Sequence, residues 1–217
     1  MRSMKWFLRV VFCLFAVLVA GASASADLIP LNGDFSDGLS HWLVEFGDVT
    51  DGGGYAFFQE DPDSLSSTLS QEFTIPSAAL RLSFDLQMLG VPGGDSDPSA
   101  WPDAFTASLL DASTLDPLIS WDPFVTEFFL LENTGAMETS AGMTVIGDTV
   151  TLDVSSWAGQ DVLLSFDLWA SDDGMTTTVN LDDVRVSVVP LPAGALLGVL
   201  GLVSGLMGLH FRPGRAA

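Results

Sequence analysis

The sequence is poor in the residues from which most catalytic centres are built: its 217 positions hold one cysteine, two histidines and one tyrosine. Cys13 lies in an apolar N-terminal run and His210 in an apolar C-terminal run, so the acidic middle of the chain has no thiol and only His41. Ser-His-Asp, Cys-His and multi-histidine zinc arrangements are thereby excluded, His41 itself reading as a turn residue beside Trp42. No disulfide is available to staple the fold. Cations are equally scarce. All 28 acidic residues fall between Asp27 and Val188, with only Arg81 and Arg185 among them, which gives this segment a formal charge of −26. Such a surface repels nucleic acid and anionic lipid. It is nevertheless a folding sequence and not a solvated tail, because Leu, Val and Phe recur at regular spacing and five tryptophans lie within it.

What is present at the two ends is targeting sequence. Residues 1–26 start with Arg2, Lys5 and Arg9, continue through the apolar Val10 to Ala20, and finish in small residues up to Ala26. That is the pattern of a cleaved secretory signal peptide, with cleavage after Ala26 or Ala24. At the other end, Val189-Pro190-Leu191-Pro192-Ala193 leads into a stretch to Phe211 whose only ionisable residue is His210, followed by Arg212 and Arg215. As a helix of about 1.5 Å per residue it reaches roughly 28 Å, enough to span a bilayer core, with the basic end cytoplasmic and the acidic domain outside. The tail resembles the VPLPA variant of the PEP-CTERM sorting signals of Gram-negative bacteria. That resemblance implies an exosortase-type transpeptidase as partner, a brief stay in the inner membrane, removal of the tail, and delivery to the cell surface or the extracellular matrix beside exopolysaccharide.

Between the ends, residues 27–188 predict one all-β domain, a β-sandwich closed as a jelly roll. Leu80, Leu82, Phe84, Leu86 and Met88 alternate with polar residues, as do Phe105-Ala107-Leu109, Val150-Leu152-Val154 and Val162-Leu164-Phe166-Leu168. Period-two alternation marks strands with one buried face, and Gly, Pro, Asp and Ser loops separate them. The pentapeptide Leu-Ser-Phe-Asp-Leu occurs at 82–86 and again at 164–168 and reads as two core strands obeying one inside-outside rule. In the last strand the apolar phase slips from Val179 and Leu181 to Val184, Val186 and Val188, which predicts a β-bulge at Asp182-Asp183. The segments Asn32 to Trp42, Asp103 to Asp111 and Leu181 to Val186 resemble landmarks of the galactose-binding-like jelly rolls found in carbohydrate-binding modules. This resemblance implies neighbouring terminal strands and a structural calcium joining an early acidic loop to the last strand.

Two candidate sites follow. Asp34 with Asp182 or Asp183 is expected to hold Ca2+, since carboxylates re-aimed by a bulge are costly to bury without a cation. Trp101 and Trp121, each beside Pro or Asp in a loop, are expected to stack on sugar rings, while Trp42, Trp157 and Trp169 read as packing. The run Asp95 to Asp103 lacks the glycine and closing Glu of an EF-hand and reads as a solvated loop. The function expected is therefore non-catalytic: an exported, polysaccharide-binding module. The alternatives are a calcium-dependent structural matrix protein without sugar binding and a carboxylate glycosidase, for which Glu127 before Phe128-Phe-Leu-Leu131 is the nearest candidate.

Overall fold

The computed structural model describes residues 30–61, 64–78, 80–89, 101–170 and 177–188. The signal peptide, the sorting motif Val189 to Ala193, the apolar tail and residues 95–100 of the acidic loop lie outside the described residues. Within them no helix is long and apolar enough to cross a membrane. Among the described residues thirteen strands form two antiparallel sheets, as the alternation predicts. The six-stranded sheet contains β2 (Asp48–Asp51), β3 (Ala56–Gln59), β5 (Leu80–Leu89), β10 (Met143–Ile146), β11 (Thr149–Asp153) and β13 (Thr178–Val188), in the order β10-β11-β5-β13-β3-β2. The seven-stranded sheet runs β1 (Leu43–Phe46), β4 (Ser66–Thr74), β12 (Asp161–Trp169), β6 (Ala104–Asp111), β8 (Glu127–Glu132) and β9 (Met137–Thr139), with β7 (Pro117–Ile119) paired to β6. Repeated crossing of the chain between the sheets gives the jelly-roll pattern, and the last strand lies at the centre of its sheet, between β5 and β3.

Period-two alternation does what it predicts. Leu82, Phe84 and Leu86 on β5 and Leu164, Phe166 and Leu168 on β12 are all buried, so the two copies of the pentapeptide face each other across the core. Phe166 is the meeting point: its ring lies 5.1 Å from that of Phe84, 6.0 Å from Phe105 and 6.1 Å from Trp42. Edge-on and offset ring contacts of this kind add to the area they bury.

One end of the sandwich is closed by the loop from Leu31 to Trp42. Asn32 organises it: the side-chain amide donates to the carbonyls of Gly38 (2.8 Å) and Ser40 (3.0 Å), and its oxygen accepts from the Asp37 N–H (3.0 Å). The loop is then tied to both sheets. Gln71 of β4 exchanges two bonds with the backbone of Leu31 (2.7 and 3.0 Å), and the Val184 N–H of β13 donates to the Gly33 carbonyl (2.8 Å). Phe35 and Trp42 plug the gap, their rings 5.4 Å apart. Gly33 is required by this closure, since a Cβ there would meet the Val184 carbonyl oxygen at 1.8 Å. The backbone of β13 cannot retreat without breaking its central pairing. Gly33→Ala is expected to lose about 1–3 kcal/mol, the usual cost of forced overpacking, read as a lower urea midpoint with unchanged slope; an unchanged midpoint contradicts the clamp.

Candidate functional site

Strand β12 buries Val162, Leu164, Phe166 and Leu168, so Leu163, Ser165, Asp167 and Trp169 stand on the outer face of the seven-stranded sheet. Register places their neighbours. Asp167 lies between Thr68 of β4 and Thr106 of β6, and Leu130 of β8 follows in the same row. The next row is Ser70, Ser165, Ser108 and Glu127. Glu45 of β1 closes it, accepting a 2.6 Å bond from the Ser70 hydroxyl. Two rows of hydroxyls thus share one face with three carboxylates.

Asp167 is the most confined of the three. Its Oδ1 accepts from the Thr68 hydroxyl (2.5 Å) and its Oδ2 from the Ser165 hydroxyl (3.1 Å). Burial pushes its carboxyl above the usual range; the two hydroxyls oppose that rise, and the negative charges of Glu127 and Glu45 add to it. Neither arginine relieves this face: Arg81 is on β5 and Arg185 on β13, both in the other sheet. Beside Asp167, Thr106 is 3 % exposed and its hydroxyl has no hydrogen-bond partner. A buried hydroxyl left unpaired costs about 1–3 kcal/mol, so this face carries an unfilled polar position. In the following row Trp169 is flanked by Ser66 and Ala104, which are too small to cover it, and it is 48 % exposed. The expectation that Trp169 is packing is therefore corrected: its odd position in the alternation turns it outward, whereas Trp42 is buried and Trp157 packs on the core.

The two tryptophans expected to bind sugar are not brought together. Trp101, 84 % exposed, lies three residues before the Ala104 end of β6, the end that carries Trp169. Trp121 lies between β7 and β8, its N–H donating to the Glu127 carbonyl (3.2 Å), at the level of Ser108. The span between them is several strand residues at about 3.4 Å each. The indole N–H of Trp121 is buried without a partner.

The bulge is where the phase slip puts it: Asp182 pairs with Asp85, and pairing resumes at Arg185 with Ser83. Asp183 adopts φ 51°, and its carboxylate is ion-paired with Arg185. Burial raises the carboxyl of Asp182; a bond from the Asp183 N–H opposes the rise, and the charges of Asp183, Asp85 and Asp34 add to it. Asp34 is near enough for its charge to act on Asp182, while Asp183 is committed to Arg185. Among the described residues, no three acidic or histidine side chains are arranged to hold a metal ion. Two carboxylates do not by themselves make a calcium site, which takes about six to eight oxygen ligands, so backbone carbonyls and water would have to supply the rest. Asp103 departs from its expected solvated setting: it is fully buried, accepting from the Thr177 hydroxyl and from the Asn133 amide (3.3 Å).

No family model matches the chain, and no curated protein does. Solved structures do. TmCBM61, solved in complex with β-1,4-galactotriose, is similar over 76 % of this chain and all of its own at 15 % identity and TM-score 0.44. The K3 adhesin domain of Lys-gingipain from Porphyromonas gingivalis follows over 74 % of this chain and 99 % of its own, at 14 % identity and TM-score 0.41. A CBM28 module specific for non-crystalline cellulose covers 73 % of this chain and 95 % of its own, at 12 % identity and TM-score 0.38. At that distance none transfers a ligand or a site residue, and the assignment of the outer face rests on its own geometry.

That geometry has a cost the protein would show. Because the folded state raises the pKa of Asp167, it holds the proton more tightly than the unfolded chain. Stability is therefore lost as pH rises through the ordinary carboxylate range to the raised value. Asp167→Asn is expected to raise the melting temperature at neutral pH, with the gain fading as the solution is acidified and the wild-type carboxyl becomes protonated. A variant that melts lower at neutral pH contradicts this.

Proposed function

We propose that the protein is an exported, non-catalytic polysaccharide-binding module, delivered to the cell surface or matrix through its VPLPA-type tail, with the outer face of the seven-stranded sheet as its contact surface. The observation that carries this reading is one face that combines an exposed indole, Trp169, with rows of hydroxyls, paired carboxylates and an unpartnered Thr106 hydroxyl. Sugar rings offer apolar C–H faces to the indole, and their hydroxyls can donate to carboxylates and bond to Thr106. Both oxygens of Asp167 already accept bonds from Thr68 and Ser165. Trp101 extends the aromatic surface from the same end of the sheet, whereas Trp121 serves the fold beside Glu127.

Sorting and calcium complete the proposal. The Pro-containing motif, the apolar span and the basic end, in that order, support recognition by an exosortase-type enzyme, so protein recovered from the surface should have the mass of a chain lacking both residues 1–26 and the apolar tail. A surface protein that still contains Ala193 to Phe211 contradicts sorting and supports simple anchoring. Calcium is proposed at Asp34 and Asp182, where it would neutralise the Asp182 carboxylate that burial and neighbouring negative charges disfavour. It should raise the melting temperature by binding the folded state, and Asp182→Ala should abolish the increment; equal melting in calcium and in chelator contradicts the site.

Binding itself is tested by titrating the protein against immobilised polysaccharides. Trp169→Ala should weaken binding by about tenfold or more, the loss expected on truncating an aromatic anchor of an interface, at about 2 kcal/mol. Trp121→Phe should leave it unchanged. Binding that survives Trp169→Ala, or that fails only with Trp121→Phe, moves the site away from this face.

A further inference from the structure

The described residues distribute charge unevenly between the sheets. On the six-stranded sheet Asp183 is paired with Arg185, and Asp153 feels the positive charge of Arg81. On the outer face of the seven-stranded sheet the charges of Glu127 and Glu45 both act on Asp167, and no strand of that sheet carries a lysine or arginine. Three carboxylates share this face without a counter-cation among the described residues, Asp167 and Glu127 partly buried and Glu45 exposed at its edge. Beside them Thr106 lies directly across from Asp167 in the β12–β6 register, is buried, and has an unpartnered hydroxyl.

We infer that this face selects a polysaccharide bearing free amino groups, a partly deacetylated amino-sugar polymer, over neutral and acidic chains; the inference rests on the polysaccharide-binding reading above. An ammonium group supplies what the face lacks. It brings three N–H donors and a positive charge to Asp167, Glu45 and Glu127, all of which can only accept when ionised. The hydroxyls of the same sugar can bond Thr106, and its ring can lie on Trp169. Strand spacing supports a chain ligand over a single sugar: Asp167 and Ser165 stand two and four positions from Trp169 along β12, so indole, carboxylate and hydroxyl rows succeed one another at about 7 Å intervals. A neutral glycan would occupy the rows but leave the carboxylates uncompensated, and an acidic glycan would add to their repulsion.

The full chain in a non-glycosidic detergent is titrated with soluble chitosan oligomers and, separately, with fully N-acetylated chitin oligomers of the same length at a pH where the amines are protonated. The amine oligomer is expected to bind more than about tenfold tighter, as charge-assisted hydrogen bonds do over neutral ones. Asp167→Asn and Thr106→Val should each weaken amine binding, and Asp167→Asn should remove most of the preference. Asp148→Asn, which deletes the same charge in an exposed turn of the other sheet, should do neither. Because Thr106→Val removes an unpaired hydroxyl at nearly constant shape, it keeps the test valid if Asp167→Asn fails to fold. Equal binding of the two oligomers overturns the amine preference while sparing the polysaccharide reading. Absence of binding to either, or to any neutral glycan, overturns both. Amine binding that Asp148→Asn weakens as much as Asp167→Asn is general attraction to an acidic protein, and it too overturns the inference.

Discussion

Phe166 constrains everything else in the domain. Its ring touches Phe84 from the opposite sheet, Phe105 from the adjacent strand and Trp42 from the loop that closes the sandwich. A strand side chain so placed fixes the register of β12, and with a period of two a register fixes both faces at once. Ser165, Asp167 and Trp169 face outward because Phe166 and Leu168 face inward. Slipping β12 by one residue would bury a carboxylate and expose the ring at the centre of the core, so the outer face proposed to bind glycan is specified by the hydrophobic core beneath it.

The same logic separates the two copies of Leu-Ser-Phe-Asp-Leu. Each places its Leu and Phe inside and its Ser and Asp outside, yet the outward carboxylates meet different surroundings. Asp85 accepts a 2.6 Å bond from the Thr149 hydroxyl and faces Asp182 at the bulge, in the sheet that holds both arginines. Asp167 sits among hydroxyls and two further carboxylates in the sheet that holds none. Identical local sequence therefore yields a structural corner on one side and an electrostatically unrelieved surface on the other, a difference set by the neighbouring strands.

Much of this was legible in the residues. Strands β5, β6, β11 and β12 follow their alternation, and the bulge in β13 falls at the phase slip between Leu181 and Val184. Strand β4 was not legible, for a physical reason that bears on the site. Its run Ser-Ser-Thr-Leu-Ser-Gln-Glu-Phe-Thr shows only Leu69 and Phe73 as apolar, because Gln71 faces inward to hold Leu31 while Thr68 and Ser70 face outward to hold Asp167 and Glu45. Long-range hydrogen bonds of this kind, some between residues 99 apart, leave no periodic trace. Trp169 could have been placed outside from the alternation of β12 alone; what the sequence could not show is that its cross-strand neighbours, Ser66 and Ala104, are small enough to leave the ring open. Loop position likewise could not reveal that Trp121 has a buried indole nitrogen.

The central claim, that the outer face of the seven-stranded sheet is the glycan contact surface, is tested most directly by NMR of the labelled protein as an oligosaccharide is added. The account predicts that the shifts concentrate on the Trp169 indole and the amides of Thr68, Thr106, Ser165 and Asp167, fading across the core to the six-stranded sheet. Shifts centred on Trp121 or on Arg81 and Arg185, with Trp169 unmoved, would contradict it.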